Sequence, residues 1–330
     1  MRTFGKRWMR VLFQGGGIVL FVVILTRVDL GAIWRSYRHI EPGHVALALG
    51  LALLLTLVKS VRWKRIVARQ NLTVPLPMAF RIYASALYLG LVTPGRIGDF
   101  AKSLYLTGRG MSAGKAIFSS LADRLFDIVF LVVAGYLSLL LLPGIFKNQL
   151  LMSSVLLGLV ALAVVGLFWR REFLKRFVRV FISRMPHRGI RESLDRVMTE
   201  TIGDFGLLGP RAVGAATVLT VLAWVCHYSC FILFARGLRI EASIHILIVS
   251  VSAAVFVSLL PVSLSGLGTR DLVLILIFRG AGLTREEAVT FSFSFIVVYL
   301  MQGLVGLLCW MGVPFDSKKA VESPAAGGHA

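Results

Sequence analysis

The stretch "LVTPGRIGDFAKSLYL" at residues 91–106 decides how this chain folds, because it interrupts a long apolar run. Within nine positions it holds one proline, two glycines and three charged residues: Pro94, Gly95, Arg96, Gly98, Asp99 and Lys102. Proline and glycine break a helix, and charges are costly in the hydrocarbon of a membrane. The stretch is therefore either an ordinary loop or the working part of the molecule.

The composition indicates a membrane protein. Of the 330 residues, 57% are hydrophobic and only 16% are charged, and the mean hydropathy is +0.82. A soluble domain carries about 25% charged residues. We expect an all-α polytopic protein with one transmembrane domain at 1–312 and a disordered tail at 313–330. The net charge of +20 accompanies no nucleic-acid-binding motif, so inner-leaflet anionic lipid is the expected partner and nucleic acid is not.

Six apolar segments are long enough, or nearly so, to cross about 30 Å of hydrocarbon. They lie at 11–25, 45–58, 125–142, 150–169, 212–235 and 288–311. Two further apolar regions, 82–106 and 244–278, are interrupted. The second interruption reads "LLPVSLSGLGTRD" at 259–271.

Basic residues predict the topology, because cytoplasmic loops carry an excess of lysine and arginine. The N-terminus and the connectors at 59–69 and 170–211 are basic, whereas those at 143–149 and 236–243 are short and lightly charged. With the connectors on these sides and the six segments crossing fully, each interrupted region must enter and leave the membrane at the same face. We expect six full spans plus two re-entrant helical hairpins in the inner (plasma) membrane, with both termini cytoplasmic. Irregular backbone at that depth must face protein or a water-filled cavity.

A weak internal repeat accompanies this topology. "RGMSAGKA" (109–116) and "AGLTREEA" (281–288) share a glycine, an apolar residue, a serine or threonine, and a later alanine. Ser112 and Thr284 are expected to be helix N-caps, and Thr284 with Glu287 is expected to form a capping box. The halves, about 11–142 and 150–312, then form an inverted-topology repeat. Such repeats bind substrates near the membrane midplane.

Charged residues inside the predicted membrane region are the candidate substrate-binding residues: Arg96, Asp99, Lys102, Arg124, Asp127, Arg270 and Asp271. The hairpin tips are assigned to Pro94, Gly95, Gly98, Pro261, Gly266 and Gly268. Four cations against three carboxylates leave one excess positive charge, which a lipid phosphate would balance. Arginine suits this because its planar fork holds two phosphate oxygens. In the alternative interpretation, Arg96–Asp99 and Arg124–Asp127 are ion pairs that stabilise the hairpins.

Other features predict structural roles. The run from 170 to 196 is typical of a basic amphipathic helix on the inner leaflet. His227 is expected to be a packed, neutral core histidine, and the three cysteines to be small core residues. The sequence contains no nucleophile–base pair, metal cluster or nucleotide-binding loop, so we expect no catalytic residue, metal or cofactor.

Four motifs carry a resemblance to a known family: "TPGRIGDFAKSLYL", "LADRLFD", "LPVSLSGLGTRD" and "GLTREEA". Over roughly 40–312 the chain resembles the flippase-like membrane region of the lysylphosphatidylglycerol synthase family. Relative to the usual family pattern, Asp99 replaces a glutamate, Lys102 an arginine, Ser265 a glycine and Asp271 a glutamate. The resemblance implies movement of a polar or isoprenoid-linked lipid between leaflets. Aminoacyl-transferase activity is not expected, because the family's soluble catalytic domain does not follow this region here.

Three functions remain open from the sequence. The first is a flippase working by alternating access on an aminoacylated phospholipid, a polyprenyl-phosphate carrier or a polyprenyl-linked sugar. The second is an enzyme or enzyme subunit acting on a lipid phosphate. The third is a non-transporting partner of a glycosyl- or aminoacyl-transferase. Clustered cations without a nucleophile–base pair favour the first.

Overall fold

The computed structural model describes residues 40–140, 171–184, 188–258 and 268–312, with isolated helical positions at 31–38 and 154–162. The described residues contain helices and turns but no strand, which confirms the all-α prediction. The helices are α1 Pro42–Ala68, α2 Leu76–Val92, α3 Ala101–Thr107, α4 Ala113–Leu140, α5 Arg171–Ser183, α6 Arg188–Asp204, α7 Pro210–Gly237, α8 Ile244–Ser258, α9 Thr269–Gly280 and α10 Arg285–Gly312. The predicted span at 11–25, the tail at 313–330 and the tip residues Pro261 and Gly266 lie outside the described residues.

Three described helices, α1, α7 and α10, are long and apolar enough to cross a membrane. They have 27 or 28 residues and therefore extend about 40 Å at 1.5 Å per residue. Pro42 and Pro210 begin two of them, because the fixed φ of proline suits the first turn of a helix. Helix α1 also corrects one expectation. The basic segment at 59–69 is not a separate connector, because α1 continues to Ala68 and buries Arg62 completely.

Helices α1 and α7 pack against each other in antiparallel orientation. Near one end, Gly237 of α7 lies against Ile40 and His44, and a side chain at this glycine would overlap Ile40. Near the other end, Arg62 of α1 donates a hydrogen bond to Thr220 of α7. Small residues allow close approach where apolar solvent provides no hydrophobic force between helices.

A 3-10 helix at Pro94–Phe100 separates α2 from α3 and reverses the chain. Gly98 packs so closely on Leu89 that a side chain there would overlap the Leu89 carbonyl, and the Gly98 N–H donates to the Thr93 hydroxyl at 2.8 Å. Helix α3 then runs antiparallel to α4, with the Ser103 hydroxyl donating to the Ala116 carbonyl at 3.0 Å. The start of α2 and the end of α3 therefore lie at the same end of the helix bundle.

Helices α8 and α9 form a second antiparallel pair. Ile246 and Val249 near the start of α8 belong to one apolar cluster with Ile277 near the end of α9 and Leu283 beyond it. The stretch that joins the two helices, 259–267, is outside the described residues.

The same turn follows α3 and α9. The N–H groups of Met111 and Leu283 donate to the Leu106 and Phe278 carbonyls, at 3.2 and 2.9 Å. Each turn contains a glycine in the left-handed region, Gly110 with φ 89° and Gly282 with φ 80°. A left-handed glycine after the last helical residue is a common way to end a helix.

A hydroxyl side chain caps the N-terminus of each helix that follows these turns, α4 and α10. The Ser112 hydroxyl accepts from the Lys115 N–H at 3.4 Å, and the Thr284 hydroxyl accepts from the Glu287 N–H at 3.2 Å. The Glu287 carboxylate in turn accepts from the Thr284 N–H at 2.8 Å. The predicted N-caps and the capping box are confirmed.

The run at 170–196, predicted as one amphipathic helix, is part of two helices, α5 and α6. Helix α6 packs on the start of α4, where the Thr201 hydroxyl donates to the Gly114 carbonyl at 3.0 Å. Helix α5 leaves Phe173, Phe177 and Phe181 exposed along one face. Only α5 therefore presents an unpacked amphipathic face among the described part of this segment.

Candidate functional site

The first feature of the site is a set of charged residues buried between α1 and α4. Lys59 and Arg62 lie one turn apart on α1, and Asp123 and Asp127 lie one turn apart on the facing side of α4. Arg62 pairs with Asp123 at 2.8 Å and with Asp127 at 3.0 Å, while Lys59 pairs with Asp127 at 3.0 Å. Charges buried this deeply are tolerated only when they are paired and hydrogen-bonded.

Arg62 uses all of its hydrogen-bonding capacity within the protein. A guanidinium has five N–H donors, and Arg62 makes five hydrogen bonds of 2.7–3.0 Å. The acceptors are both carboxylates, the Asp123 carbonyl and the Thr220 hydroxyl. With no free donor, Arg62 is a structural residue that joins α1, α4 and α7.

Asp123 extends these contacts to the first hairpin. Its carboxylate accepts from the Tyr83 hydroxyl of α2 at 3.1 Å and pairs with Lys102 of α3. Lys102 is 2% exposed and does not line the cavity described below. The sequence placed Lys102 among the substrate-binding residues, whereas in the structure its ammonium group is directed at Asp123.

Asp99 is held by α4 rather than by its own hairpin. Its carboxylate pairs with the Arg124 guanidinium and lies over Gly90, where any side chain would overlap it. The alternative pairing predicted from the sequence, Arg96–Asp99 and Arg124–Asp127, is wrong. Asp99 pairs with Arg124, and Asp127 pairs with Lys59 and Arg62.

A partly open cavity lies beside these ion pairs. Its charged lining consists of three cations, Lys59, Arg96 and Arg124, and one carboxylate, Asp127. The other lining residues are Leu55, Thr56, Leu87, Ile128, Leu131, Trp224, His227, Val255, Tyr299 and Gln302. The cavity thus combines an excess of positive charge with a largely apolar wall.

Arg96 is the cation in this cavity that is least committed to the protein. Its guanidinium lies 5.0 Å from the centre of the Tyr299 ring, and its Nε has no hydrogen-bond partner in the structure. The backbone of Arg96 is left-handed, with φ 56°. Such a conformation costs about 1–3 kcal/mol for a residue other than glycine, and it is concentrated at functional sites.

Arg270 also lies near Tyr299 but does not line the cavity. It is fully buried, donates from Nε to the Ser292 hydroxyl at 3.2 Å and pairs with Asp271 at 3.2 Å, while its Nη1 has no hydrogen-bond partner among the described residues. Its guanidinium carbon is 5.9 Å from the Tyr299 ring centre, so it lies no more than about 11 Å from that of Arg96. The two hairpins therefore bring an arginine each to the same tyrosine.

Asp271 has a local role at the start of α9. Its carboxylate accepts from the Gly268 N–H at 3.1 Å and from the Ser292 hydroxyl. Gly268 has φ 82°, so the predicted tip residue occupies a conformation that favours glycine.

His227 lines the cavity as well as packing in the core. Its ring lies 5.2 Å from Trp224 and 5.1 Å from Phe231, and no described residue forms a hydrogen bond with its Nε2. Cys226 and Cys230 are buried free thiols on the same helix, as expected for small core residues. The described residues contain no cluster of metal-ligating side chains.

Three charged residues of the site, Lys59, Arg62 and Asp123, were not among those predicted from the sequence. Including them gives six cations (Lys59, Arg62, Arg96, Lys102, Arg124 and Arg270) and four carboxylates (Asp99, Asp123, Asp127 and Asp271). The excess is therefore two positive charges rather than one. The spacing of these residues in the sequence could have indicated the site. Lys59 and Arg62 are three residues apart and Asp123 and Asp127 of "LADRLFD" are four apart, so each pair is spaced to share one face of a helix.

The apolar helices, together with charges and a cavity buried among them, define a polytopic helical membrane protein. In a comparison with known families, residues 9–306 match the family described as Lysylphosphatidylglycerol synthase TM region. The chain belongs to this family, which confirms the resemblance and extends it toward the N-terminus. The curated proteins compared with the chain gave no match.

Proposed function

We propose that the protein moves a phosphate-bearing lipid between the leaflets of the inner membrane, and that the cavity binds the lipid headgroup. The observation that carries this proposal is the position of Arg96. Arg96 has a strained backbone and no carboxylate partner among the described residues, and its guanidinium lines a cavity that also contains Lys59 and Arg124. Guanidinium and ammonium groups together suit the oxygens of a phosphate.

The apolar wall supports a lipid rather than a soluble anion. Leu55, Leu87, Ile128, Leu131 and Val255 line the same space as the cations. Their side chains give the hydrocarbon end of a headgroup an apolar neighbour while the cations face its phosphate. An amphiphile satisfies both parts of this lining.

The packing of the helices supports the proposed inverted repeat of six spans and two re-entrant hairpins, with both termini cytoplasmic. Helices α1 and α7 are antiparallel neighbours, as an axis relating the two halves requires. In one half α10 packs on α2, with Gly306 against the Ala84 carbonyl; in the other, α4 packs on α8, with Gly135 against Ser252. Exchanging the halves interchanges these two contacts.

The contacts that hold the first hairpin in place support alternating access. The Asp99–Arg124 ion pair holds the hairpin to α4, and the Arg96–Tyr299 contact holds it to α10. A phosphate that binds Arg96 and Arg124 competes with both contacts. Ligand binding would thus favour a different arrangement of the hairpin, as population shift requires.

The test is lipid exchange between leaflets in vesicles that contain the purified full-length protein. A lipid labelled on its acyl chain reports exchange when an external reagent quenches only the outer leaflet. We expect Arg96→Gln and Arg124→Gln to slow exchange by at least about tenfold, since each removes a charge-assisted contact of about 1.5–3 kcal/mol.

Arg65→Gln is the matched control, because it removes an exposed cation from α1 without touching the cavity. Its exchange rate should equal that of the wild type. Wild-type vesicles that exchange no faster than empty vesicles, with phosphate lipids of several headgroups, would contradict the proposal.

A further inference from the structure

We infer that the cavity selects a headgroup with two negative charges, as in a lipid that ends in a phosphomonoester or a diphosphate. The inference rests on the proposed lipid site and specifies its substrate class. It excludes a monoanionic phosphodiester and an aminoacylated phospholipid as the preferred cargo. The charges that the fold brings together around the cavity determine this preference.

The ion-paired cluster at the cavity contains eight charged side chains. The cations are Lys59, Arg62, Arg96, Lys102 and Arg124, and the carboxylates are Asp99, Asp123 and Asp127. All three carboxylates are already paired: Asp99 with Arg124, Asp123 with Arg62 and Lys102, and Asp127 with Arg62 and Lys59. The cluster therefore retains two positive charges after every internal pair has formed.

Nearby segments do not cancel this excess. Arg270 and Asp271 pair with each other and add no net charge. Among the described lining residues, Asp127 is the single carboxylate.

Two buried positive charges without counterions are unfavourable, and an anion that carries two negative charges restores neutrality. A phosphodiester carries one negative charge and leaves one cation uncompensated. A lysyl-esterified phosphodiester carries more positive than negative charge and adds to the repulsion. A phosphomonoester or diphosphate is therefore the headgroup that the cluster matches.

Three cationic side chains, Arg96, Lys59 and Arg124, line the cavity in which such a group would bind. The Nε of Arg96 is buried and has no hydrogen-bond partner among the described residues. A terminal phosphate has three oxygens that accept strong hydrogen bonds, whereas a phosphodiester has two unesterified oxygens. The extra oxygen and the extra charge are recognised by the same cations.

The experiment measures displacement of a fluorescent phosphatidic acid from the full-length protein in neutral detergent. The competitors are phosphatidic acid and phosphatidylglycerol with identical acyl chains, lysyl-phosphatidylglycerol, and free pyrophosphate. We expect phosphatidic acid to bind at least about tenfold more tightly than phosphatidylglycerol at pH 8. This preference should shrink at pH 5, because the second proton of a phosphomonoester leaves near pH 6.

Arg96→Gln should reduce the preference for phosphatidic acid about tenfold, since one of the two excess charges is lost, and Arg65→Gln should leave it unchanged. Equal binding of phosphatidic acid and phosphatidylglycerol by the wild type would overturn the charge inference while the lipid site stands. Tightest binding of lysyl-phosphatidylglycerol would overturn it as well. Failure to bind any of these lipids, or displacement by free pyrophosphate at the same concentration as phosphatidic acid, would overturn the proposed lipid site itself.

Discussion

Replacing Arg62 by methionine separates the structural part of the charged cluster from the part that faces the cavity. The substitution removes five hydrogen bonds and leaves Asp123 and Asp127 buried with fewer partners. Asp123 retains Lys102 and Tyr83, and Asp127 retains Lys59 and Trp224. Each buried carboxylate therefore loses only part of the positive charge and hydrogen bonding that stabilise it.

Breaking a buried ion pair by removing one partner costs about 3–5 kcal/mol of unfolding free energy. Because each carboxylate keeps a lysine, we expect the lower end, about 3 kcal/mol. At about 2–4 °C per kcal/mol, this corresponds to a decrease in Tm of roughly 6–12 °C. Arg62→Lys should lose less, because it keeps the charge but not the fork that reaches both carboxylates.

The assay is thermal unfolding of the detergent-solubilised protein, followed by loss of helical circular dichroism. Arg65→Met on the exposed face of α1 is the control for losing an arginine from the same helix. Arg96→Gln should change Tm little while abolishing exchange. If Arg62→Met is as stable as Arg65→Met, the conclusion that Arg62 holds α1, α4 and α7 together is incorrect.

Two further predictions concern the membrane topology and the Asp99–Arg124 ion pair that holds the first hairpin to α4. In a background without cysteine, we test Ala113→Cys and Arg285→Cys, which are exposed and begin α4 and α10, the last helix of each half. They should react with an impermeant thiol reagent from opposite faces of the membrane, and reaction of both from one face would remove the inverted repeat. Asp99→Asn should free the Arg124 guanidinium, raising affinity for the anionic headgroup about tenfold and slowing exchange; unchanged binding together with an unchanged exchange rate would show that the Asp99–Arg124 pair does not control the site.

Local features of the fold were predictable because they depend on neighbouring residues. Pro94 and Gly98 interrupt the helical run where the 3-10 helix forms, since proline lacks an N–H group and Gly98 must approach the Leu89 carbonyl closely. The N-caps at Ser112 and Thr284 depend on a hydroxyl group three residues before an N–H that it can accept from. Such interactions are visible in a few consecutive residues.

The predictions that the structure contradicts all concern the placement of charged residues, and they fail for the same reason. Five basic residues at 59–69 look like a cytoplasmic connector under the positive-inside rule, yet the helix passes through them and buries Arg62 between α1 and α4. A long cationic side chain has the same local pattern whether it ends a membrane helix at the surface or pairs with a carboxylate from another helix. Burial was decided by the facing aspartates, which lie about sixty residues away in sequence.

The sequence by itself determined that this is a helical membrane protein of the lysylphosphatidylglycerol synthase family. It also determined which apolar segments are interrupted, and that basic and acidic residues lie within the apolar regions. Composition, helix-breaking residues and short motifs are properties of the chain read in order. The tertiary structure alone decided that Asp99 pairs with Arg124, that all five N–H donors of Arg62 are used within the protein, and that Arg96 and Arg270 both contact Tyr299. Partner choice among buried charges depends on which helix faces meet, because electrostatic energy falls with distance in space and is independent of separation along the chain.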